Sequence, residues 1–181
     1  TSVSSLVVAR LLGVKAGTLV LAEVIAAREP LQREGLWVAA LQACLLSGLR
    51  PPAEALEELR ASVFFELKCK AMLAELARVV YAQQIPVLVF KGCALMIGVY
   101  PYPGQRSFGD IDLAVAAEHQ SRFRQALSQL GYFVSETGPV ARKDGINVDI
   151  HTHPLQQLSF ALAGNKECWW ARSEALGDDF L

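Results

Sequence analysis

Asp110 and Asp112 stand two residues apart in the run Gly-Asp-Ile-Asp-Leu-Ala-Val, and a third carboxylate, Asp149, sits in Val-Asp-Ile-His. Apart from its acids, the stretch 110–115 reads as a strand. In a strand, side chains at i and i+2 leave on the same face, roughly 6.5–7 Å apart. Two carboxylates held that way repel each other and lack apolar partners. A hard divalent cation offsets the repulsion, because Mg²⁺ prefers carboxylate oxygens and keeps sites for water and substrate phosphate. The plain structural alternative is that Asp110 caps a turn and only Asp112 lies in the strand, at a sheet edge. If the strand of Asp149 pairs with that of Asp112, backbones about 4.8 Å apart bring all three carboxylates toward one or two cations. Two ions ~3.5–4 Å apart clamp the attacking and leaving oxygens of an in-line phosphoryl displacement.

Other polar groups lie close enough in sequence to take part. The uncharged, β-branched run Ile-Pro-Val-Leu-Val-Phe at 85–90 has strand length and suits burial on both faces. Lys91-Gly92 follows at once, then Cys93 opens a short helix to about residue 100. Free backbone N–H groups at such a helix start suit phosphate oxygens, and Gly92 lets a ligand approach closely. Lys91 and Arg106 are the cations nearest these groups; otherwise the lysine reaches solvent and the arginine pairs locally. His151 shares the strand face of Asp149, so it orients a carboxylate, contacts an acceptor, or simply packs at a strand end. His119 and His153 read as surface residues. Tyr102, in Tyr-Pro-Tyr-Pro, stacks a base or stiffens its loop.

The elements that must hold these residues change character near residue 85. Before it the chain reads as helix: 4–27, closed by Arg28-Glu29-Pro30; then 34–49, with Trp37, Leu41, Cys44 and Leu45 at helical spacing; then 53–84. Pro51-Pro52 separates the last two. In the long helix Leu56, Leu59, Val63, Leu67, Leu73, Leu76 and Val80 form the apolar stripe, with acids and lysines on the other faces. After residue 85 strands alternate with helix: 85–90, 110–115, a helix over 118–130 ended by Gly131, a strand at 132–135, and a hairpin around Asp144-Gly145. Beyond Pro154 helix or irregular structure is expected, with Trp169 and Trp170 as anchors. The fold class is α+β, a small mixed sheet on a helical base. The domains are a helical subdomain over 1–84, a core over 85–155, and a C-terminal segment over 156–181 that reads as cut short.

Composition narrows the classes. A hydrophobic share of 52% against 19% charged argues for a folded chain. The net charge of −1 supplies no basic field for nucleic acid. The four cysteines, with no Cys-x-x-Cys pair, suit reduced packing thiols in a cytoplasmic protein. Arg10, Lys15 and Glu23 interrupt the apolar N-terminus, so no signal peptide is read. The longest uncharged run, 35–49, falls short of the ~18–20 residues of a spanning helix, so no membrane is expected. Apolar N-terminal helices are compatible with a homodimer, and both chain ends with fragment boundaries.

Val-Leu-Val-Phe-Lys-Gly-Cys-Ala-Leu, then Arg106, Gly-Asp-Ile-Asp-Leu-Ala-Val and Val-Asp-Ile-His together resemble a group of largely uncharacterised bacterial nucleotidyltransferases. That group belongs to the superfamily with the DNA polymerase β-like core. The resemblance covers 85–151, and more loosely reaches back to Trp37. It implies that Asp110 and Asp112 bind Mg²⁺ or Mn²⁺, and that Asp149 completes the site and helps deprotonate an acceptor hydroxyl. It implies that Gly92 and the amide of Cys93 hold the β- and γ-phosphates of a nucleoside triphosphate. The acceptor would be a small molecule or a protein, and pyrophosphate would leave. The superfamily carries serine where Cys93 stands; a thiol donates weakly, so the phosphate grip falls to backbone amides with Lys91 or Arg106. Two rivals remain: a non-catalytic binding protein on the same fold, and a zinc-type hydrolase using His151 and His153 with the aspartates.

Overall fold

The computed structural model describes residues 20–136 and 138–152, which form helices followed by a five-stranded mixed sheet. In order they are α1 (Leu21–Ala26), α2 (Arg28–Arg33), α3 (Trp37–Leu46), α4 (Ala53–Ala82), β1 (Val87–Phe90) and α5 (Lys91–Gly98). Then come β2 (Asp110–Val115), a 3₁₀ turn at Ala117–His119, α6 (Gln120–Gln129), β3 (Phe133–Val134), β4 (Val140–Lys143) and β5 (Ile146–His151). No described helix is long and apolar enough to cross a membrane. The expected helix beyond Pro154, Trp169 and Trp170, and most of the first expected helix, lie outside the described residues.

The described residues fall into two compact units, one reaching to Leu67 and including Met96–Ser107, the other comprising Lys68–Leu95 and the chain from Phe108. The first unit is built on Val24, Leu31, Trp37, Leu41, Cys44 and Leu59. Arg28-Glu29-Pro30 does not close a helix but opens α2, since proline is tolerated in a first turn whose N–H groups have no helical acceptor. Glu58 on α4 accepts a hydrogen bond from Trp37 Nε1 at 2.9 Å and pairs with Arg28, which ties α2 and α3 to α4. The apolar stripe of α4 departs from its expected course: Leu67 is 52% exposed, whereas Glu66 is buried. Glu66 is held inside because its Oε2 accepts the Gly104 N–H at 2.6 Å, and Ser62 Oγ donates to the Gly104 carbonyl at 3.2 Å. Leu45, expected to face the core of its helix, is 37% exposed.

The second unit holds the sheet, ordered β1-β2-β5-β4-β3. β2 and β5 run parallel, and the other neighbours are antiparallel. β1 is an edge strand and is half-buried throughout, not covered on both faces as its composition suggested. β5 follows from the hairpin: Asp144 (φ 51°) and Gly145 (φ 82°) both take the left-handed region, the signature of a two-residue type I′ turn. Ile146, Val148 and Ile150 of β5 are buried with Ile111, Leu113 and Val115 of β2. Strand alternation sends Asn147, Asp149 and His151 to the opposite face. Lys143 fastens the hairpin, its Nζ donating to Glu75 Oε2 and to the Leu130 carbonyl, both at 2.7 Å.

Gly104 offers a test of the first unit. Its φ is +81°, and a Cβ there would lie 2.7 Å from Val63 Cγ2. Gly104→Ala should lower unfolding free energy by about 1–3 kcal/mol through strain and overpacking, read by urea denaturation with an unchanged m-value. Wild-type stability in that variant would mean the loop is not held against α4.

Candidate divalent-cation site

Asp110 and Asp112 both belong to β2, which removes the alternative of Asp110 as a turn cap. The parallel register sets Asp112 opposite Asp149 and Asp110 opposite Asn147. Cross-strand partners share a face, so the three carboxylates line one side of the β2–β5 seam. Asp112 is buried, Asp110 and Asp149 half-buried. On the other flank of β2, Phe90 pairs with Asp112 and brings its ring to the same face.

Asp112 Oδ1 is the focus. It accepts Lys91 Nζ at 2.6 Å and stands 3.1 Å from His151 Nε2. The His151 ring is buried and meets Phe90 nearly edge-on, with centroids 5.1 Å apart. Ligand atoms of Asp112, Asp149 and His151 all lie within 4.8 Å of one another, so this trio can hold a metal ion. Two carboxylates and an imidazole form a donor set that fits a divalent cation. Asp110 is outside that tight trio but within its field. Burial raises the Asp110 carboxyl above its ordinary 3.8, the charges of Asp112 and Asp149 raise it further, and Lys91 acts in the opposite sense.

Lys91 opens α5 directly from the end of β1, with φ 52°. A non-glycine residue in the left-handed region costs about 1–2 kcal/mol. The helix thus starts two residues before the sequence suggested, and Gly92 lies in its first turn. Sequence reasoning assigned the missing side chain of Gly92 to ligand approach. The structure supplies a neighbour of its own there, since a Cβ on Gly92 would lie 2.7 Å from Phe108 Cβ. The Cys93 thiol is buried and contacts the Asp110 carbonyl at 3.7 Å, and burial pushes it well up from its ordinary value. It is a neutral packing group, so only the amide of Cys93 remains for phosphate. Cys44 and Cys69 are likewise buried thiols outside any disulfide.

Arg106 lies in the first unit, its guanidinium beside Gly35, with Nε buried and without a hydrogen-bond partner. Tyr102 is 44% exposed in its loop, and His119 is half-buried at the end of the 3₁₀ turn. His153 is outside the described residues. Sequence reasoning missed Phe90 and Asn147 as neighbours of the carboxylates; the period-two rule applied across the pairing would have found both. A cleft of about 420 Å³ lined by Arg124, Glu136, Pro139, Ile150 and Thr152 includes none of Asp110, Asp112 and Asp149.

Acidic side chains and an imidazole cluster on one face of a small mixed sheet, with a strand-to-helix turn beside them, in an arrangement that could hold a cation. Over residues 31–179 the chain matches the family described as uncharacterised nucleotidyltransferase, and it belongs to that family. No curated protein and no solved structure matches it. The carboxylate–imidazole trio fits such an activity.

The raised Asp110 carboxyl carries a pH signature. Between its unfolded and folded values the native chain holds a proton that the unfolded chain has lost, so stability falls as pH rises through that interval. Asp110→Asn, which cannot ionise, should therefore gain on wild type as pH rises above 3.8, measured as the difference in Tm across a pH series without divalent cations. A difference independent of pH would show that Asp110 carries no such strain.

Proposed function

We propose that the chain transfers a nucleoside monophosphate from a nucleoside triphosphate to an acceptor hydroxyl and releases pyrophosphate. The observation that carries the reading is the register of Asp112 with Asp149, one step from Asp110, in a chain of this family. Asp110 and Asp112 would hold the cation or cations, Mg²⁺ or Mn²⁺, with Asp149. When bound, the divalent cation offsets charge on the phosphate oxygens. Asp149 accepts the proton of the acceptor hydroxyl, whose oxygen forms the new bond to the α-phosphorus. The bond from that phosphorus to the bridging oxygen breaks, and the electron pair leaves with pyrophosphate. The first amides of α5, at Gly92 and Cys93, bind the β- and γ-phosphates, and Lys91 exchanges Asp112 for a phosphate oxygen. Rate enhancement comes from positioning and preorganised charge. The acceptor is a small molecule or a protein side chain.

A hydrolytic reading draws on one specific observation, the presence of His151 beside Asp112 and Asp149. The two separate on the triphosphate. Melting should be followed with ATP, GTP, CTP and UTP, each with Mg²⁺ or Mn²⁺. A bound nucleotide at a hundred times its Kd stabilises the fold by about 2.7 kcal/mol, and the shift should vanish with EDTA and in Asp112→Asn. Absence of a shift with any nucleotide and either cation would overturn the proposal. Once an acceptor is found, Asp149→Asn should lower kcat by about 10²–10⁴, the range of a lost general base.

Lys91→Met makes a separate prediction. Nucleotide affinity should fall about tenfold, one charged hydrogen bond, while cation affinity without nucleotide rises because nothing competes for Asp112 Oδ1. A loss of both affinities would assign Lys91 a purely structural role.

A further inference from the structure

We infer that His151 is an inner-sphere ligand of the cation, and that it makes the site select Mn²⁺-type transition ions over Mg²⁺. The inference rests on the proposed function for its setting but concerns only the metal. Ligand atoms about 2.1 Å from an octahedral ion lie about 3.0 Å apart when adjacent. His151 Nε2 and Asp112 Oδ1 stand 3.1 Å apart, the edge such an ion requires. An Asp149 oxygen sits within 4.8 Å of both, on a half-buried side chain.

A histidine retained only to satisfy Asp112 is a weaker account. Oδ1 already accepts Lys91 Nζ at 2.6 Å, so Asp112 keeps a partner when the imidazole lone pair turns to a cation. The imidazole is also fixed in orientation by the edge contact with Phe90 across β2, as a preorganised ligand must be. Its place is set by the strand: His151 pairs with Ala114, two positions along β2 from Asp112 on the same face. Ala114 has no side chain long enough to come between the ring and the carboxylate.

The chemistry of the donors then chooses the ion. Mg²⁺ takes oxygen ligands and keeps its waters, whereas imidazole suits first-row transition ions. Two carboxylates keep the site hard enough for Mn²⁺ and for phosphate oxygens. An imidazole in place of a third oxygen penalises Mg²⁺.

The test uses the full chain loaded with Mn²⁺ alone and pulsed EPR of the bound ion. Wild type should show the nuclear modulation of a directly bound imidazole nitrogen, and His151→Asn, which offers an amide oxygen, should lose it. In competition titrations the ratio of Mn²⁺ to Mg²⁺ affinity should drop at least tenfold in His151→Asn. The chain has three histidines, so if that variant does not fold, His119→Gln/His153→Gln leaves His151 as the one imidazole and must keep the signal. Mn²⁺ bound at the carboxylates without nitrogen modulation would overturn the inference and leave nucleotidyl transfer standing. Nitrogen modulation that survives His151→Asn, or no Mn²⁺ binding at all, would overturn it too. A nitrogen signal with no nucleotide-induced shift in melting would uphold the ligand and overturn the transferase.

Discussion

The repulsion among carboxylates on one face of the β2–β5 seam is the constraint that the rest of the second unit answers to. Asp112 and Asp149 offer oxygens within 4.8 Å of each other. At that separation and an effective dielectric of 20, two unit charges repel by about 3 kcal/mol. A domain's whole stability is about 5–15 kcal/mol, so the repulsion cannot be left uncompensated. Lys91 supplies a positive charge at Oδ1 of Asp112, half-exposure leaves Asp149 partly solvated, and Asp110 holds its proton more tightly than a free carboxyl does. Each answer is partial, and a cation at Asp112 and Asp149 would complete them.

Keeping such a cluster in register demands a stiff scaffold. A slip of one residue in β5 would send Asp149 and His151 to the buried face and Ile150 to the polar one. The Asp144-Gly145 turn fixes the hairpin at two residues, and Lys143 ties β4 to Glu75 on α4. The apolar residues of β2 and β5 then lock the opposite face. Polar chemistry on one side is therefore specified by burial on the other.

Much of this was legible in the residues. The switch from helical spacing to β-branched runs near residue 85, the Asp-Gly turn and the i, i+2 spacing of Asp110 and Asp112 are local signals, and each corresponds to an observed element. What failed to show was non-local. The stripe of α4 breaks at Leu67 because a loop 38 residues downstream of Glu66 puts its amide on that carboxylate, a partner no helical period reveals. Arg28-Glu29-Pro30 was misread because proline marks both the end of one helix and the first turn of the next. The composition of β1 suits burial on both faces, whereas its half-buried edge position follows from strand order, which composition does not encode. Gly92 looked like room for a ligand, but Phe108, sixteen residues away in sequence, takes the space.

Lys91 joins these threads. One residue makes the whole turn from β1 into α5, and it does so in a conformation that strains any side chain but glycine. Glycine at this point would relieve the backbone and is nevertheless absent, though the next residue is glycine. The strain is tolerated where the ammonium has a task, and its observed task is at Asp112 Oδ1. The same side chain springs from the first residue of the helix whose free amides face a phosphate on the proposed reading. On that reading it would stand between the two halves of a metal–triphosphate complex, offsetting Asp112 before a cation arrives and phosphate afterwards. A residue with both duties keeps the charge of the site balanced through the whole exchange, which an arrangement of carboxylates alone cannot do.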